Sequence, residues 1–262
     1  MFDKEKLLSH LHEDEERFLA DKALDKVELV LNRHKKQATN FLNPYQRKII
    51  KDIIVQISDI NFREEGGYNK AERKRINIFP DYLFPDHVPY TIKILKIQGN
   101  FSFQRVQHRD FLGALLSLGI KREMIGDILV LKNFAQIIVA EEIKSFVVHN
   151  LKTVHEVPVE ITEIKREDII LPVDKSKDIK ATVPSYRLDA VASAGFGDSR
   201  SKISREIENE KVKLNWKPEN NPAAEVKVGD LISIKGRGRV KIVAENGLSN
   251  RGRIKLLLKR FT

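Results

Sequence analysis

Between Arg187 and Lys241 the chain spaces its cations in a way that suits a row of phosphates. Arg200, Lys202 and Arg205 follow Ser199, a residue type that caps helices, while Ile203 and Ile207 lie four apart on what becomes the apolar face of the same helix. The basic residues then look outward. Lys211 and Lys213 come next at strand spacing, ahead of Asn215. Lys235, Arg237, Arg239 and Lys241 alternate with small or apolar residues, which in a strand puts all four on one side. Cations arranged like this neutralise phosphate charge and release condensed counterions.

Other residue patterns look chemical and are not. His108-Arg109-Asp110 spells the opening of a kinase catalytic loop, but the asparagine due five residues after the aspartate is Leu115, and no glycine-rich phosphate loop accompanies it. Asp110 is better placed as a helix-start carboxylate, where its charge suits the dipole. The histidines at 10, 12, 34, 87, 108, 149 and 155 form no His-Glu-x-x-His spacing, and His10 and His12 point to different sides of a helix. With no cysteine in the chain, thiolate zinc sites, disulfides and thiol nucleophiles are excluded together. Gly195-Phe196-Gly197 lacks the strand that precedes a dinucleotide fingerprint and reads as a turn between helices. No catalytic residue, metal or cofactor is expected.

Three regions would carry these residues, consistent with 262 residues, 41% hydrophobic and 32% charged, which also excludes a wholly disordered chain. Residues 1–75 read as a mainly helical domain. One helix carries Leu7, Leu8, Leu11, Phe18 and Leu19, a second Val27, Val30 and Leu31, and a third opens at Asn43-Pro44. Gly66-Gly67 suits an exposed loop or hairpin turn. Residues 76–168 read as strand, helix, strand, strand, helix, strand, the ferredoxin-like βαββαβ pattern that many RNA-binding modules share with unrelated proteins. Lys132-Asn133-Phe134-Ala135 matches a fragment of the aromatic motif of RNA-recognition sheets, but the first strand lacks its aromatic partner, so no stacking platform is expected. Residues 182–262 read as a small α+β domain after a linker at Thr182-Val183-Pro184-Ser185. In it a short helix is followed by a second from Arg200 to about Glu208, then by strands at Lys211–Leu214 and Leu231–Ile234. The fold class is α+β.

The formal charge of +10 is localised. From Thr182 onward 17 Lys plus Arg face 9 Asp plus Glu, a net of +8, which leaves +2 for the first 181 residues. That is the electrostatic footprint of a phosphate-backbone binder. No stretch approaches the roughly 18 apolar residues of a membrane span, and the first residues lack the apolar core of a signal peptide, so a cytoplasmic location and no membrane partner are expected.

Arg187-Leu188-Asp189, Ser199-Arg200-Ser201-Lys202, Arg205-Glu206-Ile207, Val212-Lys213-Leu214-Asn215 and Val228-Gly229-Asp230-Leu231-Ile232 resemble, in order and spacing, the RNA-binding module of small-subunit ribosomal protein S-four. Upstream, His108 to Leu115, Gly119-Ile120-Lys121-Arg122-Glu123, Gly126-Asp127-Ile128 and the early Phe41-Leu42-Asn43-Pro44 are similar to the YlmH family, bacterial cytoplasmic proteins with such a module at the C-terminus, often encoded near cell-division genes. The resemblance implies a non-enzymatic RNA-binding protein that acts on the ribosome. Its partners would be large-subunit ribosomal RNA and tRNA, in the rescue or quality control of stalled translation. The expected RNA-binding set is Arg187, Ser199, Arg200, Lys202, Arg205, Lys211, Lys213, Asn215, Lys235, Arg237, Arg239 and Lys241. The chain departs from the family pattern at Trp216, where glycine commonly follows the asparagine; packing of the indole is favoured over stacking on a base.

Two rivals stand beside this reading. An Arg-Leu-Asp triplet also carries the catalytic aspartate of pseudouridine synthases, yet Ala190-Val191-Ala192-Ser193 follows here and only about seventy residues remain, too few for their catalytic domain. The run Glu13-Asp14-Glu15-Glu16 allows a protein partner for the N-terminal segment, such as an adaptor role in cell division, although four like charges more often make a solvated face. A monomer is expected.

Overall fold

A computed structural model describes residues 2–101, 106–173 and 176–261. The chain divides into two compact units at Pro172. It is α+β throughout, with a helix-rich N-terminus, a ferredoxin-like sheet in the middle and a small α+β unit at the C-terminus.

The first unit opens with α1 (Lys4–Leu8), α2 (Asp14–Arg33), β1 (Gln37–Ala38), α3 (Pro44–Ile54), β2 (Ile60–Glu65) and β3 (Arg75–Pro80). The two helices expected around Leu19 and Val27 are one: no glycine or proline interrupts residues 14–33, and Ala20, Ala23, Leu24, Val27 and Val30 form a continuous buried stripe. The third helix starts as its sequence predicts. The Asn43 side chain accepts from the Gln46 amide, Gln46 accepts from the Asn43 amide, and Pro44 occupies the first turn. A three-stranded antiparallel sheet, β1-β3-β2, is the part that residues 1–75 did not announce. Every residue of β3 is buried, so its pattern shows no alternation, and a boundary drawn after Arg75 passes through this strand.

The unit continues with β4 (Ile92–Gly99), α4 (His108–Ser117), β5 (Ile125–Val130), β6 (Phe134–Ala140), α5 (Lys144–Asn150), β7 (Thr153–Val154) and β8 (Val157–Ile164). Strand order β5-β6-β4-β8-β7, with antiparallel pairs throughout, is the ferredoxin-like order plus the short hairpin strand β7. One face packs on α4 and α5 through Leu95, Ile97, Phe111, Leu115, Ile137 and Val147. The other is covered by Phe41 and Tyr68 from the preceding segment and Ile169 from the following one, which seal Ile92, Ile94, Leu129 and Ile138. Gly126 makes room for this seal, since a Cβ there would lie 2.6 Å from the Phe41 ring.

Polar clamps hold the seal. Asp127 accepts from the Tyr68 hydroxyl at 2.8 Å and from the Glu72 and Arg73 amides at 2.7 and 3.0 Å. Arg73 donates to the carbonyls of Ile125 and Phe41. Arg75, fully buried, donates to the carbonyls of Thr39 and Thr91 and forms a two-pronged pair with Glu142 at 2.8 Å. The Gly66-Gly67 connection is thus a hairpin turn, but a buried one: it lies on the sheet face, with Gly67 close against Ile138.

The second unit contains β9 (Ser176–Val183), α6 (Leu188–Phe196), α7 (Arg200–Glu208), β10 (Val212–Leu214), β11 (Lys217–Pro218), β12 (Leu231–Ile234), β13 (Gly238–Leu248) and β14 (Ile254–Phe261). They form one antiparallel sheet in the order β11-β10-β12-β13-β14-β9. Thr182 and Val183, read as linker, end β9 and pair with Lys255 and Ile254, so this unit begins ahead of Thr182. Leu188, Val191, Phe196, Ile203 and Ile207 from the helices share one core with Ile232, Ile234, Val240, Ile242, Leu256 and Leu258 from one face of the sheet.

Candidate nucleic-acid interface

Ser199 caps α7, its hydroxyl accepting from the Lys202 amide, and α7 runs over Arg200–Glu208 with Ile203 and Ile207 fully buried. That seats the helix and turns its basic residues to solvent. Lys202 is exposed beside Asp198 at 3.1 Å, and Arg205 is exposed. Arg200 has a second engagement. It and Arg187 both reach the Asp189 carboxylate, at 3.0 Å each, from the N-terminal starts of α7 and α6. Asp189 is buried. Burial works to raise its pKa, but hydrogen bonds from Arg187 and Arg200 outweigh that and hold it below the ordinary aspartate value. The carboxylate is therefore an anion at neutral pH that engages two half-exposed guanidinium groups.

Asn215 is structural. Its backbone is left-handed (φ 50°), its amide group donates to Asp230 at 2.8 Å, and its side-chain oxygen accepts from the Leu231 amide at 2.9 Å. Trp216 follows, also left-handed at φ 69°, so the pair forms the two-residue turn between β10 and β11 in which Asn-Gly is the favoured sequence. The indole is half-buried.

The four tail cations do not form one strand. Lys235 and Arg237 lie in the turn between β12 and β13, where Gly236 and Gly238 adopt positive φ; only Arg239 and Lys241 are in a strand. Arg237 is diverted from the set. It pairs with Asp198 and with Glu206 at 2.9 Å and lies over the Phe196 ring, tying this turn to α7. Lys211, Lys213, Lys235 and Arg239 instead meet around a groove of about 890 Å³ that one carboxylate, Glu210, shares with Asn209, Ser233, Ile234 and the two glycines. Lys213, Ser233 and Arg239 are direct cross-strand partners on β10, β12 and β13, which fixes their common side.

The expected residues thus fall into three groups. Arg187, Arg200, Lys202 and Arg205 belong to the helical side. Lys211, Lys213, Lys235, Arg239 and Lys241 belong to the groove and the outer sheet face. Ser199, Asn215 and Arg237 hold the elements that present the others. Sequence reading missed Lys180, Lys255 and Lys259, which extend the outer face along β9 and β14. The signal was present in the alternation of Asp178-Ile179-Lys180-Ala181-Thr182-Val183, whose odd-numbered members turn inward. Among the described residues no acidic or histidine cluster suits a metal, and no helix is long and apolar enough to cross a membrane.

Three family models match successive parts of the chain. A family described as "YlmH, N-terminal" matches residues 15–83, one described as "Putative RNA-binding domain in YlmH" matches 85–168, and the S4 domain family matches 186–232. The "Ribosome-associated protein quality control protein P2" of Bacillus subtilis (strain 168) is 31% identical over 254 residues, spanning 97% of this chain and 98% of that protein. The solved structure of the "Cell division protein ylmH" from Streptococcus pneumoniae is similar with a TM-score of 0.51 and 28% identity, over 61% of this chain and 97% of that one.

Proposed function

The chain belongs to the YlmH family, and from that membership we propose that it binds RNA without catalysing a reaction, engaging large-subunit ribosomal RNA and tRNA in the quality control of stalled translation. The observation that carries this reading is the helical side of the C-terminal unit. A capped helix anchored by Ile203 and Ile207 presents Arg200, Lys202 and Arg205, and a buried anion holds Arg187 and Arg200 in place. Such a surface meets phosphates in a fixed register. The same geometry argues against the Arg-Leu-Asp triplet as a catalytic centre: the Asp189 carboxylate is buried and engaged by two arginines. Action in the cytoplasm as a monomer belongs to the same proposal, as does the set of RNA-contacting cations.

Crosslinking the protein to cellular RNA and sequencing the adducts tests the partner. Ribosomal RNA and tRNA should dominate, and a profile dominated by messenger RNA overturns the ribosome reading. In binding assays the pair Lys202→Ala, Arg205→Ala should weaken affinity for all sequences and lower the salt slope by about two, about one per phosphate contact. New modification of bulk RNA that disappears in Asp189→Asn would establish an enzyme instead.

A further inference from the structure

The side of the six-stranded sheet turned away from α6 and α7 is built as a basic plane. Strand alternation decides what faces it: Val240, Ile242, Leu256 and Leu258 are buried against the helices, so Arg239, Lys241, Lys255 and Lys259 point the other way. Register then sets the neighbours. Lys213, Ser233 and Arg239 form one row across β10, β12 and β13, and Lys241, Lys259 and Asp178 form the next across β13, β14 and β9. Lys180 lies opposite Leu257, and Lys255 opposite Thr182. Lys180, Lys213, Lys241 and Lys255 are exposed. From β10 to β9 there are four inter-strand steps, so the cations spread over about 19 Å. Among the described strand residues of this face, the acidic one is Asp178.

We infer that this outer face is a second RNA-backbone surface, so that the C-terminal unit holds two RNA segments on its two sides; the inference rests on the reading that the unit binds RNA. Six cations on a plane that also carries Ser176, Thr182 and Ser233 fit a phosphate backbone. The apolar members of the plane, Leu231, Leu257 and Phe261, are half-buried and paired across strands with Lys241, Lys180 and Arg239. They form neither the continuous apolar centre that a protein partner asks for nor the apolar side chains standing proud that a membrane asks for. Leu257 does not stand proud: it is half-buried between Lys255 and Lys259 along its strand. The helical cations lie beyond the core that α6 and α7 share with the inner face, so a straight segment lying on α7 does not reach Lys180 or Lys255. Only residues 186–232 match the S4 family, and β13, β14 and β9, which carry five of the six cations, lie outside that match.

The test uses the full chain with bulk tRNA and a short RNA duplex as probes, and compares Lys180→Gln, Lys241→Gln, Lys255→Gln with the helical pair Lys202→Ala, Arg205→Ala. All five residues are exposed, and an unchanged melting curve verifies folding. The sheet variant should lower the salt slope for RNA binding by about three. Wild type saturated on an immobilised duplex should capture a second, labelled duplex, and each variant should lose this capture while still binding one duplex. If the sheet variant keeps both the wild-type slope and the second capture, while the helical pair lowers the slope, this inference is wrong and the function proposal stands. If wild type binds neither probe, the function proposal itself has failed. Loss of binding to phosphatidylserine vesicles in the sheet variant, with the RNA slope unchanged, would assign the face to a membrane and overturn the inference as well.

Discussion

The two large sheets of this protein are built alike and used in opposite ways. Each is antiparallel, and each packs one face against two helices. In the middle sheet the second face presents Ile92, Ile94, Leu129 and Ile138, and Phe41, Tyr68 and Ile169 close over it. In the C-terminal sheet the second face presents Lys213, Arg239, Lys241, Lys255 and Lys259, and among the described residues of that unit no element covers it. Alternation alone would leave both faces free. What decides is the residue type at every second position: aliphatic side chains gain about 25 cal/mol per Å² on being covered, whereas lysines would lose their hydration. A domain whose family description names RNA therefore has the central part of its sheet covered, and under the proposed function RNA contact would fall to the unit whose sheet stays open.

Removing the cover breaks the comparison most severely. Phe41 is 1% exposed and its backbone amide donates to the Glu123 carbonyl at 2.8 Å, so the ring is fixed on the sheet from both ends. Phe41→Ala should cost about 3–5 kcal/mol, the usual range for emptying a packed aromatic site. Hydrogen exchange can localise the loss. Amides of β4 and β6 should lose protection while those of β13 and β14 keep theirs. Equal loss in both sheets, or none in either, would show that the cover does not govern the middle sheet.

The C-terminal unit is held from its helical side, and there the charges divide between holding and binding. Asp189→Asn keeps the shape and removes the anion beneath Arg187 and Arg200. Both arginines are nearly half exposed, at 42% and 47%, and can rehydrate, so the expected cost is about 1–2 kcal/mol. Its pH dependence follows from the depressed folded pKa. The stabilisation is fully present above the unfolded value of about 3.9 and disappears as pH falls through the lower folded value, so wild-type and variant denaturation curves should converge in acid. A difference that persists unchanged below that range would mean the carboxylate acts by packing rather than by charge.

How much of this was legible depended on whether a segment's partners were local. The helix Arg200–Glu208 has the bounds that its cap and periodicity give, because both are properties of neighbours in sequence. The strand Ser176–Val183 was read in part as linker because its half-exposed alternation is weak and its partner, β14, lies some seventy residues on. Arg237 was read as a free cation for a related reason. Only the fold brings Asp198 and Glu206 to it, and nothing in Lys-Gly-Arg-Gly-Arg announces that the middle cation of three will be spent on the helix. The cover on the middle sheet was illegible for the opposite reason. Phe41, Tyr68 and Ile169 are scattered through the chain, and each reads locally as an ordinary loop or turn residue.

The finest distinction concerns whether the open unit also offers an aromatic contact. Trp216 sits at φ 69° in a position that favours glycine, and a side chain there costs about 1–2 kcal/mol. Trp216→Gly relieves that cost, but gives back about 0.5–1 kcal/mol in unfolded-state entropy together with the contacts of a half-buried indole. The net change should be a gain of about 0.5 kcal/mol, read as a slightly raised melting temperature. RNA affinity then separates two roles for the indole. If it serves the turn, affinity and salt slope stay at the wild-type values. If affinity falls while the salt slope is unchanged, the indole stacks on a base, and the open unit reads RNA through a ring as well as through its phosphates.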